Sequence, residues 1–231
     1  MASQAEARLR AKTEALLREI HPDARIVHEF AMGGVRMDVA AITTERLVTV
    51  EIKSELDTLD RLPNQLRFAC ALGGEVWVVF APKWRTAMKA RAQSQDMAQP
   101  IVEGGRTTYA DNPIYIPELW RCVELTEDDA TGELVTPDRY GVHPLERARH
   151  PHRYIGRDRY CSRRLLDLLL KPELYALAQP FGAKSKHDVP TIAEIAHDNL
   201  TGAQIRRGVL AALRARTFGW TCDAPVRAEA A

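Results

Sequence analysis

Residues 75–81 read Glu-Val-Trp-Val-Val-Phe-Ala, one charge at the head and only apolar bodies behind it. A run like this has no wet face, so as a strand it must be covered on both sides. Sheets covered on both sides are built from strands and helices in alternation. Residues 47–53 add a second constraint. Val48, Val50 and Ile52 fall on one face at the period of two that a strand imposes, leaving Glu51 and Lys53 on the other. The two segments together predict an α/β sheet sandwiched by helices.

The surrounding sequence supplies the other elements. Ala5, Leu9, Thr13, Leu16, Leu17 and Ile20 recur at helical spacing, and His21-Pro22-Asp23 stops that helix. Strands are expected at 25–32 and 35–42, turned by Gly33-Gly34, with residues 43–46 turning the chain into the third strand. A helix over 62–72 tolerates Pro63 in its first turn and ends at Gly73-Gly74. Residues 84–95 read as helix and 119–125 as one more strand. The stretch 97–117, rich in Gly, Pro, Asn and Asp, reads as a long loop, and 127–160 as irregular. Helical periodicity returns over 162–178, 192–199 and 203–216, where Thr201 and Gln204 form a capping box; the tail after Trp220 reads as frayed. The expected organisation is a core to residue 126, an Arg-rich connection over 127–160, a helical C-terminal subdomain over 161–218, and a tail.

Hydrophobic residues at 45% and charged residues at 27% are those of a folded chain. No stretch approaches the roughly 20 apolar residues that span a bilayer. The first eighteen residues are charged throughout, unlike a signal peptide, so a cytoplasmic location is expected. Cys70, Cys122, Cys161 and Cys222 are scattered without a CxxC pair, as in a reducing compartment. No P-loop and no Gly-rich dinucleotide fingerprint is present, so neither ATP nor NAD is indicated.

The chemistry gathers around the third strand. On the strand before it Asp38 stands among apolar neighbours, and an antiparallel connection brings Asp38 beside Glu51. Two carboxylates and a backbone carbonyl, that of Ile52, make a hard oxygen site suited to Mg²⁺. A lysine alongside is suited to orient water or stabilise charge on a phosphate. The plainer alternative is a salt-bridged strand end, with Asp57, Asp60 and Arg61 as a solvated helix start. It explains the charges singly but not their joint placement.

Asp38 followed by Glu51-x-Lys53, in helix–strand–strand–strand–helix–strand order, resembles the PD-(D/E)XK nuclease superfamily, whose core is restriction-endonuclease-like. Glu51-Ile52-Lys53-Ser54, then Asp57-Thr58-Leu59 and Arg61-Leu62-Pro63-x-Gln65, is similar to a bacterial and phage family within it, related to MmcB-like DNA repair proteins. The resemblance is strongest over residues 29–80 and weaker over 166–174. It implies hydrolysis of phosphodiester bonds in DNA with Mg²⁺, for which Mn²⁺ substitutes. Asp38 stands at the metal-binding aspartate, Glu51 at the acidic position of the motif and Lys53 at the catalytic lysine. Gln65 matches a glutamine on the following helix that helps hold the site. Glu29 matches an additional acid that reaches metal directly or through water. Met37 stands where the superfamily name has proline. The second reading is a non-catalytic DNA-binding or regulatory protein on a nuclease-like scaffold, against which the clustered acids argue.

The net charge of +1 is unevenly spread. The stretch 139–164, with Asp138 ahead of it, holds eight arginines against three acids, interleaved with Tyr140, Tyr154 and Tyr160. Arg147, Arg149, Arg153 and Arg157 are expected to track a phosphate backbone. A surface loop pairing with acidic patches elsewhere is the plainer alternative. His150, His152 and Cys161 lack the paired spacing of a zinc site. The helices at 192–199 and 203–216 have the outline of a helix-turn-helix, with Arg206, Arg207, Arg214 and Arg216 on the second. A small packing subdomain with solvated arginines is the plainer and preferred reading.

Overall fold

The computed structural model describes residues 4–72, 74–84 and 86–87, the strands at 101–103, 106–108 and 120–124, and residues 162–219 and 222–226. Helix α1 (Gln4–Ile20) leads into β1 (Arg25–Met32), β2 (Val35–Ile42) and β3 (Leu47–Lys53). Helix α2 (Leu62–Ala71) then crosses to β4 (Glu75–Phe80). A small hairpin, β5 (Ile101–Glu103) and β6 (Arg106–Thr108), precedes β7 (Trp120–Glu124). From residue 162 on, the described residues form four α-helices: α3 (Ser162–Leu166), α4 (Lys171–Ala178), α5 (Val189–Asn199) and α6 (Gly202–Ala215).

The main sheet has the order β1-β2-β3-β4-β7. Its first three strands run antiparallel, while β3, β4 and β7 are parallel, so the sheet is mixed. The switch sits at β3. Short turns feed it from β2, whereas a parallel partner needs a crossover, which α2 supplies. Every residue of β3 and of β4 is buried, as the apolar run of 75–81 requires. Gly74 makes the entry to β4 possible, because a Cβ there would stand 2.4 Å from the Leu47 carbonyl oxygen.

Two apolar layers cover the sheet. On one face Leu9 and Leu17 of α1 pack against Ile26, Val39, Val48, Val50, Ile52, Trp77 and Val79. On the other, Leu62, Leu66 and Ala69 of α2 share a single cluster with Val27, Ala40, Val76, Val78 and the buried residues of α3 to α6. The C-terminal helices therefore pack mostly against one another while sharing one continuous apolar cluster with this face of the sheet. Arg25, only 1% exposed, fastens them: its Nη1 donates to the carbonyls of Leu213 (3.0 Å), Arg214 (2.7 Å) and Arg216 (2.6 Å).

Several expectations change. The stretch 97–117 contains the β5–β6 hairpin, and the sequence between those strands, Gly104-Gly105, is a strong turn signal. The helix expected over 162–178 is two helices, because Pro172 lacks the N–H and the room for a continuous interior turn and instead sits in the first turn of α4. Helix α5 starts earlier than its apolar periodicity suggests, at an Asp188 cap that accepts from the Thr191 N–H at 3.0 Å. The capping box of Thr201 and Gln204 opens α6 as expected. The tail does not fray at once: Asp223 N donates to the Ile26 carbonyl at 2.9 Å, its carboxylate pairs with Arg18, and Val226 N donates to Arg214 O. Arg214 and Arg216 are not solvated. Arg214 donates to the carbonyls of Asp23 and Ile42, and Arg216 binds Glu173 and the Leu168 carbonyl. Of the expected 84–95 helix, residues 86 and 87 are helical and those from 88 on lie outside the described residues.

Candidate active site

Strand registers bring the candidate acids into one row. Val39 pairs with Val50, so continuing the antiparallel register sets Asp38 opposite Glu51; His28 pairs with Val39 and Phe30 with Met37, which sets Glu29 opposite Asp38. Regular pairing stops at that row. Glu29 has a positive φ of 50°. Val27 and Phe30 both join the α2-side cluster, as do Met37 and Ala40. A spacing of three in place of two means that each strand slips one step in its alternation, at the same level. The ladder between β2 and β3 opens here, and the Asp38 carboxylate replaces a backbone acceptor: its Oδ2 accepts from Ile52 N at 2.6 Å.

Glu51 and Lys53 project from β3 opposite Val50 and Ile52, as the alternation predicts. Both are 3% exposed, and Lys53 Nζ donates to Glu51 Oε1 at 2.9 Å. The other carboxylate oxygen, Glu51 Oε2, is buried with no hydrogen-bond partner. Gln65, on the first turn of α2, brings its amide toward the same carboxylate. Its Nε2 donates to the Arg36 carbonyl at 3.3 Å while its buried Oε1 has no partner. Turning that amide over would present N–H to Glu51 instead.

Burial is the main cause of an upward shift in both acids. It raises Asp38 to about 6, against the Ile52 N–H and the Arg10 charge, which favour the ionised form. It raises Glu51 to about 7, with the neighbouring Asp38 adding repulsion and Lys53 opposing it. Two desolvated carboxylates side by side, one with an unpartnered oxygen, form a place where a cation is stabilised.

These residues line a cleft of about 1080 Å³ between the β1–β2 turn, the end of β3 and the start of α2. Six carboxylates line it (Glu6, Glu29, Asp38, Glu51, Asp57 and Asp60) against the cations Arg36, Lys53 and Arg61. Gly33 and Gly34, with φ of 54° and 95°, turn the chain tightly at its wall, and a Cβ on Gly33 would meet the Phe68 ring at 3.3 Å. Asp57 is spent locally, accepting from Ser54 N at 2.8 Å and Ser54 Oγ at 2.6 Å, and Trp84 Nε1 closes the same turn on Ser54 O at 2.9 Å.

Glu29 holds an arginine on each oxygen, Arg10 at 3.2 Å and Arg36 at 2.7 Å. Its carboxylate is thus already neutralised. Arg10 is the residue that sequence reading misses. From α1 it donates to the Asp38 carbonyl at 3.0 Å and to Glu6 at 2.9 Å, and its Nη2 stands 4.0 Å from Asp38 Oδ1. A signal was present, since Arg10 lies three and seven residues from Thr13 and Leu17 on the buried stripe of α1. A charge on that stripe demands a partner inside. Arg147, Arg149, Arg153 and Arg157 lie outside the described residues. Among the described residues no three His, Cys, Asp or Glu side chains converge as a ready metal cage. No helix among them is long and apolar enough to cross a membrane.

Residues 3–96, which hold α1, the whole cleft and β4, are similar to the sequence family described as bacteriophage P4 protein cII. No curated protein and no solved structure matches the chain.

Proposed function

We propose that the chain is a metal-dependent nuclease with a restriction-endonuclease-like core, which hydrolyses phosphodiester bonds in DNA at the Asp38–Glu51–Lys53 cleft. One observation carries the reading: a buried Glu51, a half-buried Asp38 and a buried lysine, from adjacent strands, meet where the sheet opens into a cleft, and Glu51 Oε2 there has no protein partner. A structural salt bridge has no use for the second acid, the unpartnered oxygen or the opening.

The residues fit a hard divalent ion, Mg²⁺ or Mn²⁺. Asp38 and Glu51 supply the anionic oxygens and Ile52, which lines the cleft, its carbonyl. With only two side-chain acids available, water and a substrate oxygen complete the shell, as is usual for Mg²⁺. When bound, the ion supplies positive charge against the charge that builds on phosphate. The protein groups do the rest. Ile52 N fixes the direction of the Asp38 carboxylate, and Arg10 holds the Asp38 backbone carbonyl beside it. Glu29 acts at one remove, by holding Arg10 and Arg36 in place. Lys53 stands beside Glu51 and is placed to orient water or to stabilise the leaving oxygen. Gln65, with its amide turned over, is placed to hold Glu51 from the side of α2.

The second reading, a DNA-binding or regulatory protein without catalysis, draws on the closed Lys53–Glu51 pair, which spends one of the three Lys53 N–H donors on Glu51. The two readings separate in one experiment. Purified protein is incubated with linear and circular DNA, single-stranded DNA and RNA, with Mg²⁺, with Mn²⁺ and with excess chelator. Cleavage that depends on metal and is absent in Asp38→Ala and Glu51→Ala supports the nuclease. Tight DNA binding with no cleavage under any metal supports the regulatory protein.

A further inference from the structure

We propose that Arg61 is the substrate clamp of this cleft, a guanidinium that grips a backbone phosphate of the nucleic acid next to the Asp38–Glu51 pair. The inference rests on the nuclease reading and deepens it.

A polyanion entering this cleft meets six carboxylates and needs a cation to hold it. The described cations there are nearly all taken: Arg36 Nε is bound to Glu29 at 2.7 Å, and Lys53 is bound to Glu51 with its side chain 4% exposed. Arg61 is different. It is exposed, lines the cleft, and its side chain makes no ion pair or hydrogen bond among the described residues. Its own backbone is nonetheless fixed. Leu59 and Leu62 on either side are 8% and 1% exposed. Leu62 N donates to Leu59 O at 3.2 Å, and Gln65 N to Arg61 O at 3.1 Å. A free guanidinium on an anchored backbone is preorganised for an incoming ligand, with only side-chain freedom left to lose.

The neighbourhood favours an anion over an internal acid. The first turn of α2 contains no acidic residue. Asp57 is committed to Ser54 through two short hydrogen bonds, which leaves Asp60 as the acid beside Arg61. Asn64 lies exposed on the same wall and adds a neutral donor. The planar fork of arginine matches two oxygens of one phosphate, a geometry that lysine lacks.

The test uses the full chain with Arg61→Gln, Arg61→Lys and, as a charge-matched change outside the cleft, Lys184→Gln. Binding of fluorescein-labelled single- and double-stranded DNA is followed by anisotropy with Ca²⁺ present, and cleavage is followed with Mg²⁺. Arg61→Gln is expected to raise Kd and KM about ten-fold, the scale of one charge-assisted clamp, with a smaller change in kcat. Its log–log salt slope falls by about 0.7 to 0.9, one phosphate contact. Arg61→Lys recovers the slope but only part of the affinity, and Lys184→Gln behaves as wild type. Wild-type Kd and slope in Arg61→Gln, or a loss confined to kcat, overturns the clamp while leaving the nuclease standing. Wild-type protein that neither binds nor cleaves DNA removes both.

Discussion

Replacing Asp38 by asparagine should stabilise the metal-free protein at pH 8 while destroying its activity. Asparagine keeps an oxygen for the Ile52 N–H, which the carboxylate now accepts at 2.6 Å, and removes only the charge. Burial lifts Asp38 from its ordinary 3.8 to about 6. At about 1.4 kcal/mol per tenfold change in proton affinity, the ionised form costs the fold ~3 kcal/mol. Water at a side chain 23% exposed cuts this to on the order of 1–3 kcal/mol. Because the folded pKa lies above the unfolded one, the native state holds the proton more tightly. The Asp38 contribution to wild-type stability is thus most favourable below about pH 4 and falls as pH rises to about 6, after which the penalty is complete. Glu51 behaves likewise up to about 7. Thermal melts in chelator at pH 4 and pH 8 test this. At pH 8 the variant should melt higher by on the order of 5 °C, and at pH 4 the gap should close. Added Mg²⁺ should raise the wild-type melt at pH 8 and leave the variant where it was. Equal melting at pH 8, or a gap that persists at pH 4, refutes the idea that a desolvated acid pair waits for a cation.

Lys53→Met should preserve folding, since a long apolar chain fits a site 4% exposed, and should release Glu51 to titrate higher; single-turnover cleavage should fall by about 10²-fold or more, and an unchanged rate excludes Lys53 from the chemistry. Arg25→Met should cost about 3–5 kcal/mol in urea denaturation, because it strands buried carbonyls of Leu213, Arg214 and Arg216; a loss below about 1 kcal/mol contradicts the fastening role. Replacing Arg147, Arg149, Arg153 and Arg157 together with alanine should weaken DNA binding and flatten its salt slope by about 0.7 to 0.9 per lost contact, with cleavage surviving at saturating substrate; unchanged slope and affinity leave DNA binding to other faces.

Elements whose cause is local were legible in the sequence. The faces of β3 follow from alternation alone, and α6 starts where Thr201 and Gln204 cap each other. The pairing of Asp38 with Glu51 was legible too, because two short turns leave little choice of register. What escaped depends on distant partners. Regular alternation does not foresee that β1 and β2 slip in step at Glu29 and Asp38, since that slip is held by Arg10 from another element. Glu29 reads as a free acid until Arg10 and Arg36 are seen on its two oxygens. Arg214 and Arg216 read as solvated because the carbonyls and the Glu173 that claim them are remote in sequence.

The short tail segment at 222–226 has a consequence for handling the protein. Strand β1 is the outer strand of the sheet, and its far side would offer open backbone groups to any other extended chain. Cys222 bridges Val27 and Asp223 N takes the Ile26 carbonyl, so this tail acts as a guard strip along that margin. Cutting the chain after residue 219 should leave the cleft chemically intact yet increase concentration-dependent self-association over that of the full chain, visible by light scattering. A purification tag placed after residue 226 leaves the strip untouched.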